Sequence, residues 1–127
     1  MADRILLDTD IVIEYLRGSD KATEYIEGLT GELLLSTITL AELWSGVRGD
    51  EEAQSLELFL LAFRIVAVDG EIAKNGGSFR REYSASHGTG LADALIAATA
   101  LKEEAKLISF NARHYPMIPD LEIPFDR

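Results

Sequence analysis

The chain has 127 residues, no cysteine, and a formal net charge of −10 from 22 acidic and 12 basic side chains. The lack of thiols excludes disulfide staples and thiolate chemistry, and a chain of this length buries enough core to fold without them as one domain, residues 1–127. So large an acidic excess counts against nonspecific capture of nucleic acid, whose phosphates are held by lysine and arginine, and favours a bound cation or a basic partner.

In chain order, "RILLD" predicts a buried strand ending on Asp8, and Ile11, Ile13, Tyr15 and Leu16 continue at helical spacing towards Gly18. Ser19 is placed to cap a short helix that closes near Gly28. "ELLLS" predicts the second strand and "TLAELWSGV" a helix, followed by an amphipathic helix over "DEEAQSLELFLLAF" with Asp50 as its cap. "RIVAV" predicts the third strand, and a long helix runs from about Asp69 to Tyr83 with "NGG" in its interior. "SASHGTG", residues 84–90, reads as a loop, "GLADALIAATALKEEA" as an Ala-rich buried helix, and "KLISF" as the fourth strand. The tail "PMIPDLEIPF" holds all three prolines and predicts at most a short edge strand. No basic leader with an apolar stretch opens the sequence, and no apolar run is long enough to span a bilayer, so a cytoplasmic protein is expected.

Short, solidly apolar strands alternating with helices predict an α/β fold: a three-layer α/β/α sandwich with a central parallel sheet. In such a sheet, ligands collect at the carboxyl ends of the strands. Asp8 closes the first strand, Glu42 is expected in the first turn of the helix after the second, Asp93 in the first turn of the Ala-rich helix, and Asn111 directly after the fourth strand. Singly, each has a structural use: Asp8 or Thr9 as a cap, Thr39 with Glu42 as a capping box, Asp93 against the helix dipole, Asn111 in a turn. Gathered on one sheet edge, their like charges repel and call for a cation. A hard divalent ion, Mg²⁺ or Mn²⁺, suits such oxygen donors and keeps waters that can react. Zinc has no support, because His87 and His114 lack paired-ligand spacing. The sequence also lacks a G-x-x-x-x-G-K-[ST] loop, a dinucleotide G-x-G-x-x-G and a G-x-S-x-G elbow.

Four stretches, "ILLDTDIVIEYLRG", "STITLAELWSGV", "GLADALIAATAL" and "LISFNARHY", resemble in order and spacing the motifs of PIN-domain ribonucleases, above all the VapC toxins of prokaryotic toxin–antitoxin pairs. The resemblance runs from Asp3 to about Tyr115. It implies a small α/β/α sandwich and an Mg²⁺- or Mn²⁺-dependent endoribonuclease, with Asp8, Glu42 and Asp93 as metal-binding catalytic residues. The fourth position, often aspartate in the family, is Asn111 here, which offers a carbonyl oxygen but no charge. Thr9 matches a small hydroxyl position, and Arg113 and His114 fall on an N-x-x-H-[FY] ending. Thr9, Arg81, Arg113 and His114 are the expected contacts to RNA, while Arg80 and Lys102 read as solvated surface and Asp10 as an outer group or a cap. Trp44 and Tyr15 are read as core or partner surface. The resemblance further implies a homodimer inhibited by a VapB-like antitoxin. Two other functions stay open at this point. One is a PIN-fold binding module that has lost its ligands, to which Asn111 points. The other is a haloacid-dehalogenase-type phosphatase, whose D-x-D motif Asp8 and Asp10 loosely mimic.

Overall fold

A computed structural model describes residues 3–127. Four strands, β1 (Arg4–Leu7), β2 (Glu32–Ser36), β3 (Arg64–Val66) and β4 (Lys106–Ile108), form one parallel sheet in the order β3-β2-β1-β4. The six helices are α1 (Thr9–Leu16), α2 (Asp20–Glu27), α3 (Thr37–Ser45), α4 (Gly49–Leu60), α5 (Gly70–His87) and α6 (Leu91–Glu103), and a 3-10 turn covers Ala112–His114.

Side chains along each strand alternate between two cores, which is why the strands are apolar on both faces after a charged, exposed first residue. Leu6, Leu34 and Leu107 face one way, onto Ile72 of α5 and Ile96, Ala97 and Ala100 of α6. Ile5, Leu7, Leu35 and Ile108 face the other way, onto Ile11 and Val12 of α1, Ala22 and Ile26 of α2, and Leu56 of α4. Two helical layers with the sheet between them make the expected three-layer sandwich. The alanines of α6 leave little side chain to hold the helix off the sheet, and Ala94, Ala97, Ala98 and Ala100 are all buried. This close seat brings Asp93, in the first turn of α6, up beside the strand ends.

"NGG" does lie inside a helix, for a packing reason. A Cβ on Gly76 would stand 3.1 Å from the Cα of Leu95, so glycine there permits the close approach of α5 to α6. Three expectations need correction. α5 runs past Tyr83 to His87 through part of the expected loop, and stops where Gly88 turns left-handed at φ 66°. Asp50 is not the cap of α4: Gly49, at φ 84°, starts the helix one residue earlier, and Glu52 reaches back to the Arg48 N–H at 2.9 Å. β3 ends at Val66 rather than Val68. The tail adds a single parallel bridge, Ile108 to Glu122, outside β4.

Candidate active site

The strand order places β1 between β2 and β4, where the chain's path across the sheet reverses and a crevice opens at the carboxyl ends. Asp8 stands there as the N-cap of α1, and its Oδ1 accepts the Thr9 N–H at 2.8 Å. Its other oxygen, Oδ2, accepts two hydroxyls, Ser109 at 2.7 Å and Tyr115 at 2.8 Å. The capping role is real, but the carboxylate is 4% exposed, far more buried than a cap requires. Burial first, and the charge of Asp10 second, push its pKa up to about 7 against the pull of the three hydrogen bonds.

Tyr115 joins this carboxylate to the next. Its Oη lies 3.2 Å from Asp93 Oδ1, so residues from two distant parts of the chain meet at one hydroxyl. A phenol has one hydrogen; it goes to Asp8, the nearer acceptor, and cannot also satisfy Asp93. Burial and the two nearby aspartates raise the Tyr115 pKa, which keeps the phenol protonated. The second oxygen of Asp93 faces His114 Nδ1 at 3.2 Å.

Glu42 does not close a capping box. Ser36 caps α3, Thr39 is buried within it, and the Glu42 carboxylate instead accepts the Thr9 hydroxyl at 2.6 Å. Thr39 donates in turn to Thr9 at 3.0 Å, since the Thr9 hydrogen is spent on Glu42. Thr9 follows Asp8 directly, so this short relay holds Glu42 beside the crevice. Asp10 is a busier residue than an ordinary cap: it accepts the N–H groups of Ile11 and Phe110, at 2.7 and 2.9 Å, and lies 3.2 Å from the Ser109 hydroxyl, whose one hydrogen goes to the nearer Asp8. Burial raises its pKa and those bonds oppose the rise. Ser109 also receives the Asn111 N–H at 3.0 Å, which fixes the loop that carries Asn111 while its side chain stays exposed.

The expected cations are less gathered. Arg113 and His114 belong to the 3-10 turn at this edge, whereas Arg81 is exposed on α5. Lys102 is paired with Asp69 and Glu71 on the surface, as its solvated reading requires. Trp44 is 37% exposed and so is not core, while Tyr15 packs on Phe59.

A PIN-domain family model matches residues 5–117. Ribonuclease VapC19 of Mycobacterium tuberculosis is 40% identical over 124 residues, covering 94% of this chain and 98% of the relative. Ribonuclease VapC10 of the same organism is 37% identical, covering 95% and 92%. Among solved structures, a toxin–antitoxin complex from Klebsiella pneumoniae superposes with a TM-score of 0.84 at 28% identity, covering 97% of this chain and 99% of that one. The chain is a PIN-domain protein of the VapC ribonuclease type. The phosphatase alternative falls with that match, and Asp10 is in any case occupied by two backbone N–H groups.

A VapC-type site is expected to take a divalent cation, and the donor set here is compatible with one. Asp8 and Asp93 offer carboxylate oxygens with no lysine or arginine bonded to either. Among the described residues, no three of His, Asp and Glu stand close enough to encircle an ion. Mg²⁺ does not need that, because it commonly keeps several waters and takes only one or two protein carboxylates. Sequence reasoning passed over two members of this VapC site, Ser109 and Tyr115. Both lay inside quoted motifs, as "SFN" and the final aromatic of "NARHY", where a buried hydroxyl gives no period or spacing to detect.

Proposed function

We propose that this VapC-type chain hydrolyses RNA phosphodiester bonds with a water activated by Mg²⁺ or Mn²⁺, and that Asp8, Glu42, Asp93 and Asn111 carry the reaction. The observation that supports this best is the pair Asp8 and Asp93, held at one tyrosine hydroxyl at the sheet's crevice without a lysine or arginine partner. Asp8 and Asp93 would hold the ion. When bound, the ion lowers the pKa of a water and neutralises charge building on the phosphate. Glu42, which is exposed and bonded to Thr9, would orient the attacking water. The Asn111 amide can bond the same water or a phosphate oxygen without adding charge. Arg113 and His114, with Arg81 further out, would hold the RNA backbone at the rim.

Attack by water rather than by the ribose 2′-hydroxyl leaves 5′-phosphate and 3′-hydroxyl ends. End-labelling of the products from purified protein, RNA and Mn²⁺ tests this. Products carrying 2′,3′-cyclic phosphate would reject the mechanism, and no cleavage by a folded, metal-loaded chain would favour the binding-module alternative.

The partners that go with this function are a VapB-like antitoxin and a second copy of the chain in a homodimer. A groove between α1, α3 and α4 is lined by Ile13, Leu16, Leu43, Val47 and Leu56, with Glu42 also on its wall. An antitoxin segment seated in it would reach the mouth of the site, and the acidic surface favours a basic segment.

A further inference from the structure

We infer that Tyr115 is a positioning residue: its hydroxyl donates to Asp8 beside Asp93 and fixes the direction in which the Asp8 carboxylate meets a divalent cation, acting from the core side of the site. The inference rests on the metal-dependent function proposed above and concerns only how this chain's own atoms prepare for the ion. One buried atom touches both carboxylates, at 2.8 Å from Asp8 Oδ2 and 3.2 Å from Asp93 Oδ1. The ring is 2% exposed and packed in the core beneath α6, so the hydroxyl approaches from inside and cannot swing away to solvent.

The hydrogen-bond inventory then decides which part of Asp8 remains for a cation. A carboxylate oxygen offers two lone-pair directions. Oδ2 has both taken, by Ser109 at 2.7 Å and Tyr115 at 2.8 Å. Oδ1 has one taken, by the Thr9 N–H at 2.8 Å. Asp8 therefore presents one oxygen in one direction, and the two hydroxyls hold that orientation. Without them only the Thr9 N–H would hold the carboxylate against rotation and repulsion from Asp93. The ring and the hydroxyl have separable tasks. Phenylalanine would fill the same core volume but leave Oδ2 one donor short.

Two full-length variants test this, Tyr115→Phe and Tyr25→Phe. The Tyr25 hydroxyl bonds the Glu122 side chain, which pairs with Lys106 and touches neither Asp8 nor Asp93, so its loss is a control for removing any tyrosine–carboxylate bond. Mn²⁺ affinity is read directly by electron paramagnetic resonance, and cleavage is followed against Mn²⁺ concentration. Tyr115→Phe should weaken Mn²⁺ binding and raise the half-saturating concentration about tenfold, as loss of a group supporting a metal ligand typically does. Excess Mn²⁺ should restore most of kcat, KM for RNA should not move, and Tyr25→Phe should bind Mn²⁺ like the unaltered chain. Unchanged affinity in Tyr115→Phe would overturn the inference, as would an equal loss in Tyr25→Phe. So would a Tyr115→Phe chain that does not fold, because the hydroxyl would then serve the core. If the unaltered chain itself bound no Mn²⁺, the metal-dependent function would fail first, which is a distinguishable result.

Discussion

The two ends of the sheet handle charge in opposite ways. At the amino end, Arg4 lies 3.3 Å from Glu32 and 3.6 Å from Glu103, and Arg64 lies 3.1 and 2.7 Å from the same two acids. Lys106 adds a pair with Glu122 at 3.3 Å. Each of these three acids, Glu32, Glu103 and Glu122, has a cation beside it. At the carboxyl end, Asp8 and Asp10 are withdrawn from water and face hydroxyls, N–H groups and each other. Exposed pairs add little stability, whereas buried carboxylates without counterions cost a good deal and tend to mark functional sites. The strand starts thus pair their acids with lysine and arginine, while Asp8 at the strand ends is buried with neither bonded to it.

Substitutions at the carboxyl end should have the largest effect. Asp8→Asn and Asp93→Asn should each lower kcat/KM for RNA by about 10³-fold or more with the circular dichroism spectrum unchanged; activity near that of the unaltered chain would remove these residues from the site.

The second prediction concerns pH. Asp8 holds its proton up to about 7 in the fold, against 3.8 ordinarily, so between those values the folded chain binds protons that the unfolded chain releases. With metal removed by EDTA, its contribution makes the fold most stable below the lower value and progressively less stable as pH rises to the upper. The loss is on the order of 4 kcal/mol at most. Asp8→Asn should flatten this decline and melt above the unaltered chain at pH 8. Millimolar Mn²⁺ should stabilise the unaltered chain, by about 2.7 kcal/mol at a hundred times its Kd. A decline of the same slope in both proteins would dissociate it from Asp8.

A smaller loss is expected next door. Thr9→Val removes the 2.6 Å bond to Glu42 and should slow cleavage roughly tenfold while Mn²⁺ binding at Asp8 and Asp93 persists. Smallest of all should be Arg64→Ala at the other end, which should cost less than about 1 kcal/mol in a denaturant melt and leave cleavage unchanged. A loss of activity there would erase the contrast between the two ends.

Much of this was legible in the residues. The strands are apolar on both faces because both faces are covered, so "RILL", "ELLLS" and "KLI" stood out as blocks, and helical spacing separated them. Asp8 and Asp93 were visible because each sits at the start of a helix following a strand or a loop, whereas Glu42, expected in a first turn, lies a turn further into α3, which already begins at Thr37. The continuation of α5 through Ser84, Ala85 and Ser86 was not legible, since serines next to glycine look like a loop. Packing settled that end: the Tyr83 and His87 rings meet edge to face at 5.8 Å one turn apart, and only Gly88 breaks the helix. Glu42 was equally ambiguous. Its spacing from Thr39 fits a capping box, and only the fold showed its partner to be Thr9, far away in the chain.

By itself, the order of residues determined the layers, the parallel sheet and the positions where carboxylates meet strand ends, because periodicity and local spacing fix which faces are buried. Which hydroxyl meets which carboxylate was decided only by tertiary structure. Asp8 and Tyr115 are 107 positions apart and meet at 2.8 Å because β4 lies beside β1 and the turn after it folds back beneath them. Contacts of that kind depend on the closure of the whole sheet, and no local pattern encodes them.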